Sequence, residues 1–389
     1  MNDTFRQEIL ILAIVRGISA AVFTISLPFL NIYLYERGYS MSLIGFISGV
    51  STFLGSTMRI VSGGLSDVIS PQKVILYGVV LRGLVLLSFV FLILMDADIL
   101  LFAPSIFLNS ASFSLIINGS NSFLSYSIKE DVRRILAISK VRVGINLGFS
   151  IGPILGGFLS HYSYVLLFLV AALLSLSVSF LTVRLKNERV QGSFKNYFSD
   201  IILPTKDKKF MLISVSTFFC AVVFSQFINT LPVFASQYSI DKRLIGYFFT
   251  TNGLTVILFQ VFISRISAKK FGDLVSAILG ILIYASSFLM FGISQNFFWL
   301  VISVFYMTFG EMLLIPSLMN MAMKVSPEER KGVFLGFFEF FETFGWSIGK
   351  YVGGIVFDHF VYEPIYMWGI LSGLSIFPII SLLIVRFKT

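Results

Sequence analysis

Charge is scarce in this chain: of 389 residues only 13% are Asp, Glu, Lys or Arg, where a soluble domain carries about 25%. Cysteine is nearly absent. The single Cys220 has no partner for an internal disulfide, and with His161 and His359 as the other soft ligands it makes no metal cluster. No glycine-rich phosphate loop of the ATPase type occurs, which argues against direct drive by ATP, and no cofactor is implied. Acids, histidines and cysteines nowhere gather into the constellation that an integral membrane enzyme acting on lipid-linked substrates would need. The Asn118-Gly-Ser sequon falls within an apolar run, where it cannot be glycosylated.

What is present is hydrophobic length, with 56% apolar residues. A helix crosses the ~30 Å hydrocarbon layer in about 20 residues, and the chain supplies twelve such runs. The first six are Ile9 to Tyr35, Leu43 to Ile60, Val74 to Met95, Ile99 to Ser125, Gly144 to Ser160 and Tyr164 to Val183. The others are Phe210 to Ala235, Ile245 to Ile263, Leu274 to Ile293, Phe297 to Met323, Val333 to Phe357 and Ile365 to Val385. Continuous runs of this length must satisfy their backbone polar groups internally, which predicts an all-α integral membrane protein and not a barrel. The first run is too long for the apolar region of a cleaved leader and lacks a small-residue cleavage site, so it is expected to be retained.

Basic residues set the orientation, because Lys and Arg near helix ends stay on the cytoplasmic side. Alternate connections together with both tails hold 23 of them, whereas the opposite set holds Arg37, Lys242 and Arg243. Both termini and the polar stretch 186–209 are therefore expected in the cytoplasm of a multi-pass cell-membrane protein. The net charge of +9 is a topology signal, and no nucleic-acid partner is implied.

The polar stretch divides the chain into residues 1–185 and 210–389, six spans each. These halves repeat. Gly148-Phe-Ser-Ile-Gly152-Pro153-Ile-Leu-Gly156-Gly157 returns 197 positions later as Gly345-Trp-Ser-Ile-Gly349-Lys350-Tyr-Val-Gly353-Gly354. Tyr39-Ser40 returns as Tyr238-Ser239, Leu43-Ile44-Gly45 as Leu244-Ile245-Gly246, and Leu27-Pro28 as Leu231-Pro232. Duplicated halves are a transporter architecture, in which substrate sits between two bodies that rock.

At these residues the chain resembles the major facilitator superfamily. Gly148, Gly152, Pro153, Gly156 and Gly157 are similar to the fifth-helix glycine motif of its proton-driven drug antiporters, with Ser139 in place of an earlier glycine. Gly63-Gly-Leu-Ser-Asp67-Val-Ile-Ser70-Pro-Gln72-Lys73 is similar to the signature loop between helices two and three, with Val68 for a basic residue and Ser70 for a glycine. The resemblance implies two six-helix halves, a central site lined by helices one, four, seven and ten, alternating access, and a monomer bound to lipid, a small solute and protons. The fourth-helix arginine and first-helix acid usual in the drug antiporters are absent; Asn109 stands near the former.

Ionisable residues inside spans are expensive and therefore functional candidates. Arg16, Arg59 and Arg82 fall in the first half, and Glu311, Glu339, Glu342 and Lys350 in the second. Arg16 and Arg59 are near enough to the cytoplasmic ends to snorkel, and Arg82, on a helix peripheral in the family, is open to a structural or lipid-facing role. Glu311 is 14 residues into its span, hence a candidate for proton or substrate handling. Polar stripes mark four helices: Arg16, Ser19 and Ser26; Ser110, Ser114, Asn118, Asn121 and Ser125; Gln226 and Asn229; and Glu311. The glycines Gly345, Gly349, Gly353 and Gly354 are expected to let a helix approach closely. Arg59 and Glu339 lie at matching cytoplasmic depth and are candidates for an inner gate, together with Gly63, Asp67 and Lys73.

These features point to a secondary transporter, proton-coupled and exporting a small, partly hydrophobic compound. Uptake of a metabolite or organic anion, which Arg16 would suit, is the alternative. A membrane enzyme or a receptor, the latter expected to bring a large soluble extension, fits the residues less well.

Overall fold

The computed structural model describes residues 3–127, 131–186, 203–293, 295–327 and 331–387, and the regular structure among them is helical. The first six helices are α1 (Asp3–Glu36), α2 (Met41–Val68), α3 (Pro71–Leu94), α4 (Ile99–Ser127), α5 (Asp131–Tyr162) and α6 (Tyr164–Thr182). A single turn, α7 (Leu203–Lys206), precedes α8 (Lys208–Gln237), α9 (Lys242–Ile266), α10 (Gly272–Ile293) and α11 (Phe297–Val325). The chain then continues through α12 (Lys331–Phe360), α13 (Pro364–Gly373) and α14 (Ile376–Phe387).

By length and composition, ten helical runs among the described residues can cross a membrane. One of them, Lys242–Ile293, is 52 residues long and holds the eighth and ninth expected spans, joined by a π turn at Ser267–Phe271 and ended by Gly272 at φ 68°. The eleventh expected span is α12, which is outside the ten because Glu339, Glu342 and Lys350 interrupt its apolar run. The last is shared between α13 and α14, with the helix broken around Leu374 and Ser375.

Helix starts follow ordinary capping chemistry. The Ser163 side chain accepts from Val165 N–H, Asp207 from Phe210 N–H and Asn296 from Phe298 N–H. Ser70 caps α3, with Pro71 as the first helical residue, but does so at φ 119° and ψ 147°, a backbone region that only glycine adopts freely. The signature segment expected as a loop is largely helical, since α2 runs on to Val68.

Packing divides the chain into two compact units. One comprises Met1–Arg37, Val50–Phe194 and Asp241–Thr250; the other comprises Gly38–Gly49, Lys195–Ile240 and Thr251–Thr389. In the first, Leu12, Val15, Ile75, Val79, Ile116 and Val178 form part of a buried core. In the second, Phe210, Ile213, Ala277, Ile281, Ala322 and Leu382 do the same.

Within each unit the repeated glycines have one job, the close apposition of a helix pair. A Cβ on Gly148, Gly152 or Gly156 would run into α1 at Gly17, Ala21 or Phe29. On Gly345, Gly349 or Gly353 it would run into α8 at Phe218, Val222 or Gln226. The last glycine of each motif receives the first turn of a different helix: Gly157 meets Lys242 and Arg243 of α9, and Gly354 meets Met41 and Ser42 of α2. Those contacts assign the starts of α2 and α9 to their units.

Candidate functional site

Glu311 sits midway along α11 and is partly buried. Its Oε2 accepts a 2.6 Å hydrogen bond from Asn252 Nδ2 of α9. The same amide donates to Thr308 Oγ1 at 3.1 Å, and the Thr308 hydroxyl donates to Val304 O at 2.8 Å. No basic side chain forms an ion pair with Glu311 among the described residues. A carboxyl held by a neutral amide in an apolar surrounding is poorly compensated when charged, and so is well placed to bind and release a proton. Tyr284 stands on α10, the helix packed against α11. Its hydroxyl is buried with no acceptor among the described residues. Tyr284 lines a small apolar cavity with Cys220, Phe224 and Leu314.

The other unit carries buried positive charge. Arg82 of α3 is 0% exposed, so it faces protein and not lipid. Its Nη1 donates to Ser19 O of α1 at 3.4 Å. The guanidinium lies over the rings of Phe113 and Phe23, 5.2 and 5.9 Å from their centroids. Arg16 is half-buried on α1, three residues before Ser19.

The polar stripes are only partly open. Gln226 is fully buried, and its amide donates to Val222 O at 2.8 Å, Ser225 Oγ at 3.0 Å and Gly349 O at 2.8 Å, while Oε1 accepts from Thr230. It ties α8 to α12. Asn229 is likewise buried and donates to Ser225 O at 2.8 Å. Asn109 is buried, Asn118 half-buried and Asn121 exposed, and Ser114 bonds across to Gly55 O of α2 at 2.9 Å. On α12, Glu339 is exposed, Glu342 half-buried and Lys350 buried. The side chains of Arg59, Gly63, Asp67 and Ser125 lie outside the described residues; Lys73 is exposed, its N–H capped by Ser70.

Charge closes the starts of α2 and α9. Both Asp358 oxygens of α12 accept from the first turn of α2, at Met41 N–H and Ser42 N–H, each at 2.8 Å. In the other unit Lys242 pairs with Glu36 at 2.8 Å, lies 4.6 Å over the Tyr164 ring, and shares Glu36 with the Tyr164 hydroxyl. His161, which the 197-residue offset pairs with Asp358, lies 3.6 Å from Asp241. Hydrogen bonds from Arg243 hold the Asp241 carboxyl down at about 2.

Sequence reasoning missed Asn252, Tyr284 and Asp358. Asn252 was legible as one of two amides, with Gln260, in an apolar run. Tyr284 and Asp358 carried no signal separating them from interfacial residues.

A family model described as Major Facilitator Superfamily matches residues 12–238 and 211–388. The chain is similar to the uncharacterized MFS-type transporter YqjV of Bacillus subtilis, 27% identical over 364 residues that cover 91% of this chain and 87% of that one. It is similar to the quinolone resistance protein NorA of Staphylococcus aureus, 24% identical over 352 residues covering 88% and 87%. Among solved structures, the nucleoside transporter NupG matches with a TM-score of 0.81 at 16% identity, covering 100% of both chains. At that identity the likeness is one of fold.

Proposed function

The chain belongs to the Major Facilitator Superfamily, and from that premise we propose that it is a secondary transporter in which Glu311 couples solute movement to protons. The observation that carries this reading is the Glu311 carboxyl bonded to the amide of Asn252 with no cation paired to it among the described residues. Protonation removes the cost of an ionised carboxylate in the apolar layer, and deprotonation restores it. A conformational change that exposes Glu311 to one aqueous side and then the other thereby carries a proton with each cycle. Asn252 serves both states, donating to the carboxylate or accepting from the acid through its own oxygen after a flip.

Export of a small, partly hydrophobic compound is the preferred direction. The fifth-helix glycines and the 24% identity to a quinolone resistance protein support it. Both termini and the stretch 186–209 face the cytoplasm in this reading, on the strength of the basic asymmetry, and the protein works as a monomer.

The test is proton movement in proteoliposomes. Solutes are screened for those whose addition shifts an internal pH-sensitive dye, and the response is repeated with Glu311→Gln. The Gln variant should keep its fold and lose solute-driven proton flux by about 100-fold or more, as expected when an essential proton carrier is removed. Unchanged coupled flux in a folded Gln variant refutes the role.

A further inference from the structure

Arg82 lies at the middle of α3 with its guanidinium sealed from solvent. Apart from the long bond to Ser19 O, its hydrogen-bonding capacity is unused: Nε and Nη2 are buried and have no acceptor among the described residues. These two nitrogens form one edge of the guanidinium, with parallel N–H directions spaced to receive both oxygens of a carboxylate.

No acidic side chain pairs with Arg82 among the described residues. An arginine cannot shed its proton inside a protein, and the six spans of the first half contain no Asp or Glu. Arg16 lies one turn before Ser19 on the same α1 face. The rings beneath Arg82 offset part of the burial cost, since Phe23 and Phe113 stack at 4.9 Å. Phe149 meets Phe23 edge-on at 6.2 Å, and all three rings are only half-buried. Half-buried aromatic rings therefore lie over the face of a guanidinium whose Nε/Nη2 edge has no acceptor among the described residues.

We infer that Arg82, assisted by Arg16, is a carboxylate-binding subsite that takes an amphiphilic organic anion, whose apolar body lies against Phe23, Phe113 and Phe149. The inference deepens the transport reading and rests on it for the cargo's passage. Binding itself needs no proton coupling. The anion supplies the counter-charge that Arg82 lacks among the described residues, so it binds where its uncharged analogue does not.

The test uses the full chain in detergent, with no gradient, titrated with 4-phenylbutyrate and with its amide, 4-phenylbutyramide. Binding is read from intrinsic fluorescence and from the shift in thermal unfolding. The acid should bind and stabilise the wild type more than the amide. Arg82→Met, which replaces an uncompensated buried charge with an apolar chain of similar length, should fold and bind the acid about 10- to 100-fold more weakly, the worth of hydrogen bonds to a charged group. Arg82→Lys keeps the charge without the fork and should fall between the two. Equal response of the wild type to acid and amide overturns the proposal, as does undiminished acid affinity in Arg82→Met. Because no gradient is present, these outcomes are read separately from any loss of coupled flux in Glu311→Gln.

Discussion

Replacing Gly349 with alanine should force two helices apart. The added Cβ would lie 2.6 Å from Val222 O and 2.8 Å from Val222 Cα, both backbone atoms of α8 that no rotamer change can move aside. Overpacking of this kind costs about 1 to 3 kcal/mol. Separation of the helices also lengthens the 2.8 Å bond from Gln226 to Gly349 O, a loss of about 0.5 to 1.5 kcal/mol. Against this stands the better helix propensity of alanine, worth up to ~1 kcal/mol. The net expectation is a destabilisation of about 1 to 3 kcal/mol. Gly336 on the same helix is the internal control, because a Cβ there meets nothing within 4 Å, so Gly336→Ala should keep the propensity gain and lose nothing. Cys220 on α8 is the single cysteine, and its reaction with a fluorogenic maleimide on heating in detergent reports unfolding. Gly349→Ala should label at lower temperature than wild type and Gly336→Ala at the same or higher temperature. If both variants shift alike, close helix apposition is not what the glycine stripe provides.

Ser70→Gly should raise thermal stability, since relief of a glycine-type backbone at φ 119°, about 1 to 3 kcal/mol, exceeds the few tenths lost with the cap; a lowered midpoint would show that Ser70 is not strained. Topology is checked in a Cys220→Ala background with single cysteines at Asn196 and Glu363, of which only the second should react with an impermeant maleimide added to intact cells.

Much of the protein can be read without its structure, and the reason is the solvent. In a lipid layer a chain with 56% apolar residues has one economical way to satisfy its backbone, so span length alone specifies the helices, and the basic residues supply the expected direction that cysteine labelling checks. The repeat at an offset of 197 likewise announces which helices correspond, and the glycines say that each pair comes close. Helix rotation is a different matter. A helix with lipid on one side and protein on the other is apolar all round, so hydrophobicity does not encode which face turns inward. That is why Arg82, open to a lipid-facing reading on sequence, is sealed in protein. Gln226 and Asn229 are committed to bonds within and between helices. Asn252, an unremarked amide in an apolar run, reaches the Glu311 carboxyl. Only packed backbones decide such pairings, because each depends on the azimuth and depth at which two helices meet, and those follow from the fit of their side chains together and not from the order of residues along either one.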